Sequence, residues 1–229
     1  MSDAPEASAQ RALDFVKDGQ TLGLGTGRAA AAFVRALGAR VQDGLRVRGV
    51  ATSIATAELA SELGIPLLTL DEAGTLDVTF DGADEVDPQL NVIKGYGGAL
   101  VREKITAASS RELVILVGPE KMVPVLGSRG KLPVEVIPFG LALCGRQLAE
   151  LGCESVLRTR ENGEAYLTDN GNHILDCKVA AISAPREFET AILAIPGVLG
   201  TGLFIGMADA VIVERDGQAD VLRRPSAKS

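Results

Sequence analysis

The chain has 229 residues, of which 46% are hydrophobic, 23% charged and 3% aromatic, and its formal net charge is −7. This length allows one large domain or one domain with a smaller partner, and the hydrophobic fraction is ample for a core. The acidic balance argues against nucleic acid or an anionic membrane as the main partner, because both require a basic surface. Low aromatic content and the absence of tryptophan also disfavour stacking platforms for bases.

Cysteine and histidine usage argues against a metal protein. Cys144, Cys153 and Cys177 have no metal-type spacing, and His173 is the single histidine. The cysteines are therefore interpreted as ordinary core thiols of a reducing compartment. No apolar run reaches about 18 residues, and the first ten residues lack the basic and apolar regions of a signal peptide. A soluble, cytoplasmic protein without a bound metal is expected.

The first half of the chain alternates strand and helix signals. Strands are predicted at 20–25, 46–51, 67–70, 76–80 and 112–117, and helices at 29–37, 53–63 and 98–109. Ser53 is suited to cap the second of these helices. The run ELVILV at 112–117 is apolar throughout, as in a strand buried on both faces. This rhythm predicts a Rossmann-like α/β fold, in which helices cover both faces of a mostly parallel sheet.

The second half has a different texture. Its pattern predicts a small α+β (ferredoxin-like) domain. The predicted elements are a strand at 133–138, a helix at 140–151, short strands at 155–159, 165–168 and 173–176, and a helix at 185–195. A closing hairpin, 208–214 with 221–222, is expected to rejoin the first sheet. The predicted Rossmann-like catalytic domain is therefore discontinuous, 1–129 and 200–229, with the small domain at 130–199. The tail 223–229 is expected to be frayed.

A glycine-rich turn, GLGTGR at 23–28, lies at the first strand-to-helix junction. Glycines let the backbone approach a ligand, and helix N–H groups favour an anion such as phosphate. A dinucleotide is disfavoured, because the next strand ends in VAT at 50–52 without an acidic residue for a ribose. A tight turn without function is an alternative of about equal weight.

An acidic loop, DGADE at 81–85, follows the predicted strand 76–80. Asp81 and Asp84 are expected just past the carboxyl end of that strand, where open α/β sheets bind ligands. The loop lacks the regular oxygen ligands and the closing acidic position of a calcium-binding loop, so a metal is disfavoured. The alternative is a solvated acidic turn.

Two basic residues and a glutamate complete the candidate chemistry. Lys94 precedes flexible glycines and can reach an oxyanion or phosphate, and Lys121 follows the strand at 112–117. Glu103 has apolar neighbours one helical turn away, and burial of a carboxylate raises its pKa towards the range of a general base. In the alternative interpretation, Glu103 pairs with Arg102 or Lys104 on a wet surface.

The chain resembles ribose-5-phosphate isomerases of the A type. The blocks that carry the resemblance are GLGTG at 23–27, DGADE at 81–85, IKGYGGALVREK at 93–104, LPVEVIPFG at 132–140 and TDNGNHILD at 168–176. They occur in the family's order and span most of the chain. The resemblance implies reversible interconversion of D-ribose 5-phosphate and D-ribulose 5-phosphate in the pentose phosphate pathway, without metal or organic cofactor. Composition and the small domain favour a homo-oligomer, a dimer or a tetramer, with a homodimer as the first expectation.

The resemblance also implies roles for individual residues. Glu103 would be the base that moves a proton between C1 and C2 through an enediolate, and Lys94 would stabilise the oxyanion. Asp81 and Asp84 would belong to the acidic substrate loop, with Asp81 as the helper in ring opening. The implied substrate-binding positions are Thr26, Gly27, Arg28, Ala29, Asp81, Gly82, Ala83, Asp84, Lys94, Gly95, Tyr96, Gly97 and Lys121.

Two motifs depart from the family pattern. The phosphate turn commonly reads TGST, whereas Arg28 and Ala29 follow Thr26-Gly27 here. Two hydroxyl donors are lost, and Arg28 could replace them with a bidentate phosphate contact. The glycine loop commonly reads KGGG, and Tyr96 replaces its middle glycine, so that its ring would cover the substrate or point to solvent.

Two other functions fit less well. A non-catalytic sugar-phosphate sensor on a related fold should carry a basic DNA-binding segment and could dispense with Glu103, yet no such segment occurs and Glu103 is present. An acyl or CoA transferase would place its nucleophilic glutamate in a different glycine context. An active isomerase is the preferred prediction, because the acid-base set is complete.

Overall fold

The computed structural model describes residues 6–224, which form two compact units. The helices are α1 Glu6–Ala12, α2 Arg28–Gln42, α3 Ile54–Glu62, α4 Leu70–Ala73, α5 Leu100–Ala108, α6 Leu141–Glu150 and α7 Pro185–Leu193. The strands are β1 Thr21–Leu24, β2 Arg48–Ala51, β3 Leu76–Gly82, β4 Glu85–Val86, β5 Val92–Ile93, β6 Ser110–Val117, β7 Lys131–Val136, β8 Ser155–Leu157, β9 His173–Lys178, β10 Val198–Thr201, β11 Leu203–Phe204, β12 Ala210–Arg215 and β13 Gln218–Arg223.

Within the described residues, the first unit comprises 6–83, 102–122 and 206–224, and the second comprises 84–101 and 123–205. These bounds differ from the predicted domains, because 84–101, 123–129 and 200–205 belong to the second unit. The reason is strand pairing: β4 and β5 pair with each other, and β5 also pairs with β11, in a separate three-stranded sheet. Of the tail predicted to be frayed, Arg223 is part of β13, and residues 225–229 lie outside the described residues.

The first unit is built on a six-stranded sheet in the order β13-β12-β6-β3-β1-β2. All neighbours pair in parallel except β12 and β13, which form the closing antiparallel hairpin. The ring of Phe33 on α2 stacks on Phe80 of β3 with centroids 4.1 Å apart, at the centre of a buried apolar cluster. The apolar run of β6 is buried from Leu113 to Val117. The predicted α/β class with a mostly parallel sheet is confirmed.

The neighbouring strands β6, β3 and β1 run in the same direction, so the segments that follow them leave the sheet at one edge. Strand β3 is longer than predicted and includes Asp81 and Gly82, which pair with Ile115 and Leu116. Asp81 therefore lies inside the end of the strand and not just past it.

Side-chain capping determines where the two helices between β2 and β3 begin. The Ser53 hydroxyl accepts the N–H of Thr56 at 3.1 Å, so the predicted cap of α3 is confirmed. The strand predicted at 67–70 is wrong: only a single bridge joins Leu67 to Gly49, and α4 follows. Thr69 and Glu72 form a reciprocal capping box, which supplies the helix start that a short apolar run did not reveal.

The second unit contains a four-stranded antiparallel sheet in the order β10-β7-β9-β8. With α6 between β7 and β8 and α7 between β9 and β10, this is the βαββαβ arrangement of ferredoxin-like folds. Its core includes Leu132, Val134 and Leu148 together with the three free cysteines. The strand predicted at 165–168 is reduced to a bridge between Thr159 and Ala165, since Thr168 begins a turn by accepting the N–H of Gly171.

Candidate active site

In the first unit, a buried carboxylate joins two strand ends. Asp81 is 1% exposed, and its Oδ1 accepts the N–H groups of Gly82 at 2.7 Å and of Thr26 at 3.2 Å. The approach requires glycine at position 25, because a Cβ there would lie 2.3 Å from the carboxyl carbon of Asp81. The glycine-rich turn and the acidic loop, predicted as separate motifs, are therefore connected through Asp81.

A cluster of hydroxyl groups fixes the turn from the other side. The Thr26 hydroxyl lies 2.8 Å from the hydroxyls of both Thr52 and Ser53, and Thr56 Oγ1 donates to the carbonyl of Gly25 at 2.9 Å. Of the hydroxyl residues around Thr26, the sequence predicts a role only for Ser53, as a helix cap, and it does not reveal Thr56. The available signal was the spacing of Thr56, three residues after Ser53 in the first turn of α3.

The other end of the turn starts a helix. Gly27, at φ 99°, precedes α2, and no side chain caps this 15-residue helix. The first N–H groups of a helix have no intrahelical acceptor, so they and the helix dipole favour an anion. Arg28 is exposed and Ala29 half-buried. Within residues 6–224, the Arg28 guanidinium makes no hydrogen bond or ion pair, and it is available to an anion.

Lys121 lies at the same edge of the sheet. It ends a short 3-10 turn, Pro119–Lys121, after β6, and β6 pairs with β3 up to Gly82. Its ammonium group is half-buried and makes no side-chain hydrogen bond or ion pair in the described part of the chain. Gly82 ends β3 and Ala83 follows it, and both residues are half-buried.

Glu103 lies on α5 and is only 4% exposed. Thr106, one turn later on the same helix face, packs against β1: a Cβ on Gly23 would lie 2.8 Å from Thr106 Cγ2. The face that carries Glu103 is therefore the one that packs against the sheet. The alternative of a glutamate on a wet surface is wrong.

In the second unit, Asp84 and Lys94 are held by backbone contacts. The N–H of Asp84 donates to Ile93 at 2.8 Å, and its Oδ2 accepts the N–H of Tyr96 at 3.0 Å. Lys94, which follows β5, is 2% exposed, and its N–H donates to the carbonyl of Gly202 at 2.8 Å. The ammonium nitrogen of Lys94 lies 5.7 Å from the centroid of the Phe204 ring. A lysine this deeply buried is unusual unless its charge has a use.

Tyr96 packs into the second unit. Its hydroxyl donates to the carbonyl of Lys131 at 3.2 Å, and the Lys131 ammonium lies 4.3 Å from the ring centroid. Burial, followed by the nearby carboxylates of Asp84 and Glu85, raises the pKa of the Tyr96 phenol to about 12. The alternative in which this ring points to solvent is wrong, because both its face and its hydroxyl have partners.

The described residues contain no group of three or more His, Cys, Asp or Glu side chains placed to hold a metal ion. None of the helices within 6–224 is long and apolar enough to cross a membrane.

The fold and these side chains define an α/β protein equipped for a small anionic ligand at the ends of parallel strands. A family model described as ribose 5-phosphate isomerase A (phosphoriboisomerase A) matches residues 48–218. The chain belongs to this family, as the sequence blocks implied.

Relatives support the assignment over the full length. Ribose-5-phosphate isomerase A of Roseiflexus castenholzii is 54% identical, with 92% of this chain and 91% of that protein covered. The enzyme of the same name from Gloeobacter violaceus is 52% identical, with 97% and 96% covered. The structure of ribose 5-phosphate isomerase A from Methanocaldococcus jannaschii matches with a TM-score of 0.90 at 41% identity, covering 95% of this chain and 96% of that one.

A further solved structure is that of a D-ribose-5-phosphate isomerase in complex with phospho-erythronic acid. It matches with a TM-score of 0.92 at 38% identity, covering 96% of this chain and 97% of that chain.

Proposed function

We propose that this protein interconverts D-ribose 5-phosphate and D-ribulose 5-phosphate by proton transfer. The observation that carries the proposal is family membership over nearly the whole chain, with identities of about 50% to relatives that bear this enzyme name. The buried Glu103 agrees with it, because proton transfer at carbon uses a positioned general base and burial limits the access of competing water. Phospho-erythronic acid, bound by a structural relative, is a phosphorylated sugar acid of the same chemical class as the proposed substrate.

In the proposed reaction, the carboxylate of Glu103 removes the proton from C2 of the open-chain aldose. The C–H electrons form a C1–C2 double bond, and the C1 carbonyl oxygen takes up the charge of the resulting enediolate. Glu103 then returns the proton to C1, while the proton of the C2 hydroxyl is transferred to the oxygen on C1. Carbon 2 becomes the ketone, and no atom is gained or lost.

The other acid-base residues have supporting roles in the proposal. The ammonium group of Lys94 stabilises the negative charge that develops on oxygen, an interaction that gains strength with burial. Asp81 assists ring opening and hydroxyl proton transfer, and Asp84 binds hydroxyls in the acidic loop. Gly82, Ala83, Gly95 and the backbone of Tyr96 and Gly97 contribute substrate contacts.

The phosphate group is assigned to Thr26, Gly27, Arg28 and Ala29 of the turn, together with Lys121. Arg28 supplies the charge that replaces the two missing hydroxyl donors. Arg28→Ala should raise KM for ribose 5-phosphate about 10-fold and leave kcat within about 2-fold, because a phosphate contact is shared by substrate and transition state. Steady-state kinetics measures both. Arg35→Ala on the same helix is the control, since Arg35 is also exposed and has no side-chain partner among the described residues. An unchanged KM in Arg28→Ala would show that Arg28 does not bind the phosphate group.

The function itself is tested with the purified full-length chain. Ribulose 5-phosphate formation from ribose 5-phosphate, and exchange of the C2 proton in deuterated water followed by NMR, should both occur without added cofactor. A pure sensor would bind ribose 5-phosphate and catalyse neither process. Binding of ribose 5-phosphate without proton exchange would therefore show that the protein is a sensor and not an isomerase.

The proposal also places the enzyme in the cytoplasm as a homo-oligomer, a homodimer or a tetramer, with a sugar phosphate as its partner and no nucleic acid or membrane. Large apolar side chains exposed on the second unit support self-association: Phe139 is 100% and Val156 71% exposed. Light scattering coupled to size-exclusion chromatography should give at least twice the mass of 23.8 kDa. A fully active monomer, with the mass of one chain, would contradict the proposed homo-oligomer.

A further inference from the structure

Arg158 is a nearly buried cation outside all the motifs considered so far. It follows β8, and its side chain is 11% exposed. One guanidinium nitrogen, Nη1, donates to the carbonyls of both Gly95 and Tyr96 at 3.0 Å. The remaining edge of the guanidinium faces Asp176: Nε donates to Oδ2 at 2.9 Å and Nη2 to Oδ1. Arg158 thus links β9 to the glycine loop that follows Lys94.

A second cation completes the network. Lys131 of β7 lies 3.6 Å from Asp176 Oδ2, and its ammonium group also lies over the ring of Tyr96. Asp176 is 19% exposed and Arg158 11%, whereas Lys131 at 37% is open to water on one side, so the network is partly buried. Partly buried ion networks gain little stability after desolvation, and a nonpolar cluster would serve packing equally well. The specific feature of this network is that the side chains of Arg158 and Lys131 both contact the loop 94–98.

The network fixes the direction of two peptide planes. In a trans peptide, the carbonyl and the following N–H point to opposite sides. The carbonyl of Gly95 faces Arg158, and the N–H of Tyr96 accordingly points away, to Asp84 Oδ2. The carbonyl of Tyr96 also faces Arg158, so the N–H of Gly97 is directed to the side away from the guanidinium. Gly97 is exposed, and its N–H donates to no other group within residues 6–224.

The loop needs such an external support. Gly95 and Gly98 have φ of 101° and 88°, in the region that glycine adopts with little cost. A glycine-rich segment samples many conformations unless its carbonyls are held. At its ends, Lys94 N–H donates to Gly202 and the Tyr166 hydroxyl donates to the carbonyl of Gly97 at 3.4 Å. Inside it, the Gly98 N–H donates to the Gly95 carbonyl at 3.0 Å, and the Tyr96 N–H donates to Asp84. Arg158 adds to these contacts a side chain that binds two consecutive carbonyls in the middle of the loop.

We propose that Arg158, oriented by Asp176, is a positioning residue for isomerisation: it holds the Gly95 and Tyr96 carbonyls so that the loop presents Lys94 and the Gly97 N–H to the reacting sugar. This inference rests on the proposed function. It assigns a catalytic consequence to two residues that touch neither substrate nor reacting atoms. Displacement of a catalytic group by about 1 Å can cost about 100-fold in rate, so the effect should appear in kcat.

The test compares Arg158→Met, Arg158→Lys and Asp176→Asn with Arg160→Met. Arg160 is the matched control, because it is exposed in the same segment and its side chain makes no hydrogen bond or ion pair in the described part of the chain. Arg158→Met should lower kcat about 10- to 100-fold with KM within about 3-fold. Arg158→Lys should recover part of the lost kcat, since lysine keeps the positive charge but lacks the forked donor geometry of the guanidinium. Arg160→Met should behave as wild type.

Inhibition separates positioning from a general loss of structure. If the loop is aligned for the transition state, the inhibition constant of phospho-erythronic acid should rise in Arg158→Met while that of inorganic phosphate stays within about 2-fold. A second readout does not depend on activity: amide exchange at Tyr96 should be faster in Arg158→Met than in Arg160→Met, because the Tyr96 N–H loses its alignment with Asp84.

Three results would overturn the inference: a folded Arg158→Met with wild-type kcat, a loss of activity that only follows the unfolded fraction, or unchanged exchange at Tyr96. If Arg158→Met does not fold, kcat and amide exchange at Tyr96 are measured in Arg158→Lys and Asp176→Asn, and the same three results would overturn the inference. A wild-type protein without isomerase activity would overturn the proposed function, and the exchange experiment would still report whether Arg158 holds the loop.

Discussion

Glu103→Gln should reduce turnover of ribose 5-phosphate by about 1,000-fold or more, while binding of the sugar phosphate changes by less than about 3-fold. Glutamine keeps the volume and the hydrogen-bonding shape of the side chain and removes its capacity to accept a proton from carbon. Because Glu103 is buried on the helix face that packs against the sheet, solvent hydroxide has poor access as a substitute base.

The measurement is ribulose 5-phosphate formation in a coupled assay, together with calorimetric binding and proton exchange at C2 in deuterated water. Glu58→Gln on α3 is the control, since Glu58 is exposed and has no side-chain partner among the described residues. Near-normal turnover or near-normal exchange in Glu103→Gln would show that another group is the base.

Lys94→Met should lower kcat by about 100- to 1,000-fold with a smaller change in KM. Removal of one preorganised group that stabilises an oxyanion has an effect of this size. Methionine fills much of the space of the lysine stem, so that packing around the side chain is largely kept. Rates and urea unfolding are measured on the same preparations.

Lys178→Met at the end of β9 is the matched control, because Lys178 is exposed in the same unit. If Lys94→Met kept kcat within about 3-fold of wild type, oxyanion stabilisation would have to come from another source, and Lys94 would be reduced to a structural role.

The elements that the sequence predicted well are those decided by local chemistry. The run ELVILV forms β6 because every side chain is apolar and both faces are covered. Ser53 caps α3 because its hydroxyl and the N–H of Thr56 are close in sequence. Failures came from competing local signals: the capping box of Thr69 outweighed the apolar run at 67–70.

The domain bounds depended on pairing between distant segments. The segment 84–101 begins within the acidic loop and continues it without a break in composition, so the sequence predicts it as part of the first domain. In the structure, β5 within it pairs with β11, more than 100 residues later. Such pairing depends on the register of short strands, which two-residue segments do not specify.

By itself, the sequence determined the α/β class, the family, and the identity of the candidate acid, base and cation residues, because residue type and order carry that information. Only the tertiary structure decided that Glu103 is buried, that Asp81 connects β3 to the glycine turn, and that Tyr96 packs against Lys131. It also brought Arg158, which Asp176 binds from its other side, onto the carbonyls of Gly95 and Tyr96. These features depend on contacts between residues that are 18 to 63 positions apart, and neither composition nor periodicity encodes such contacts.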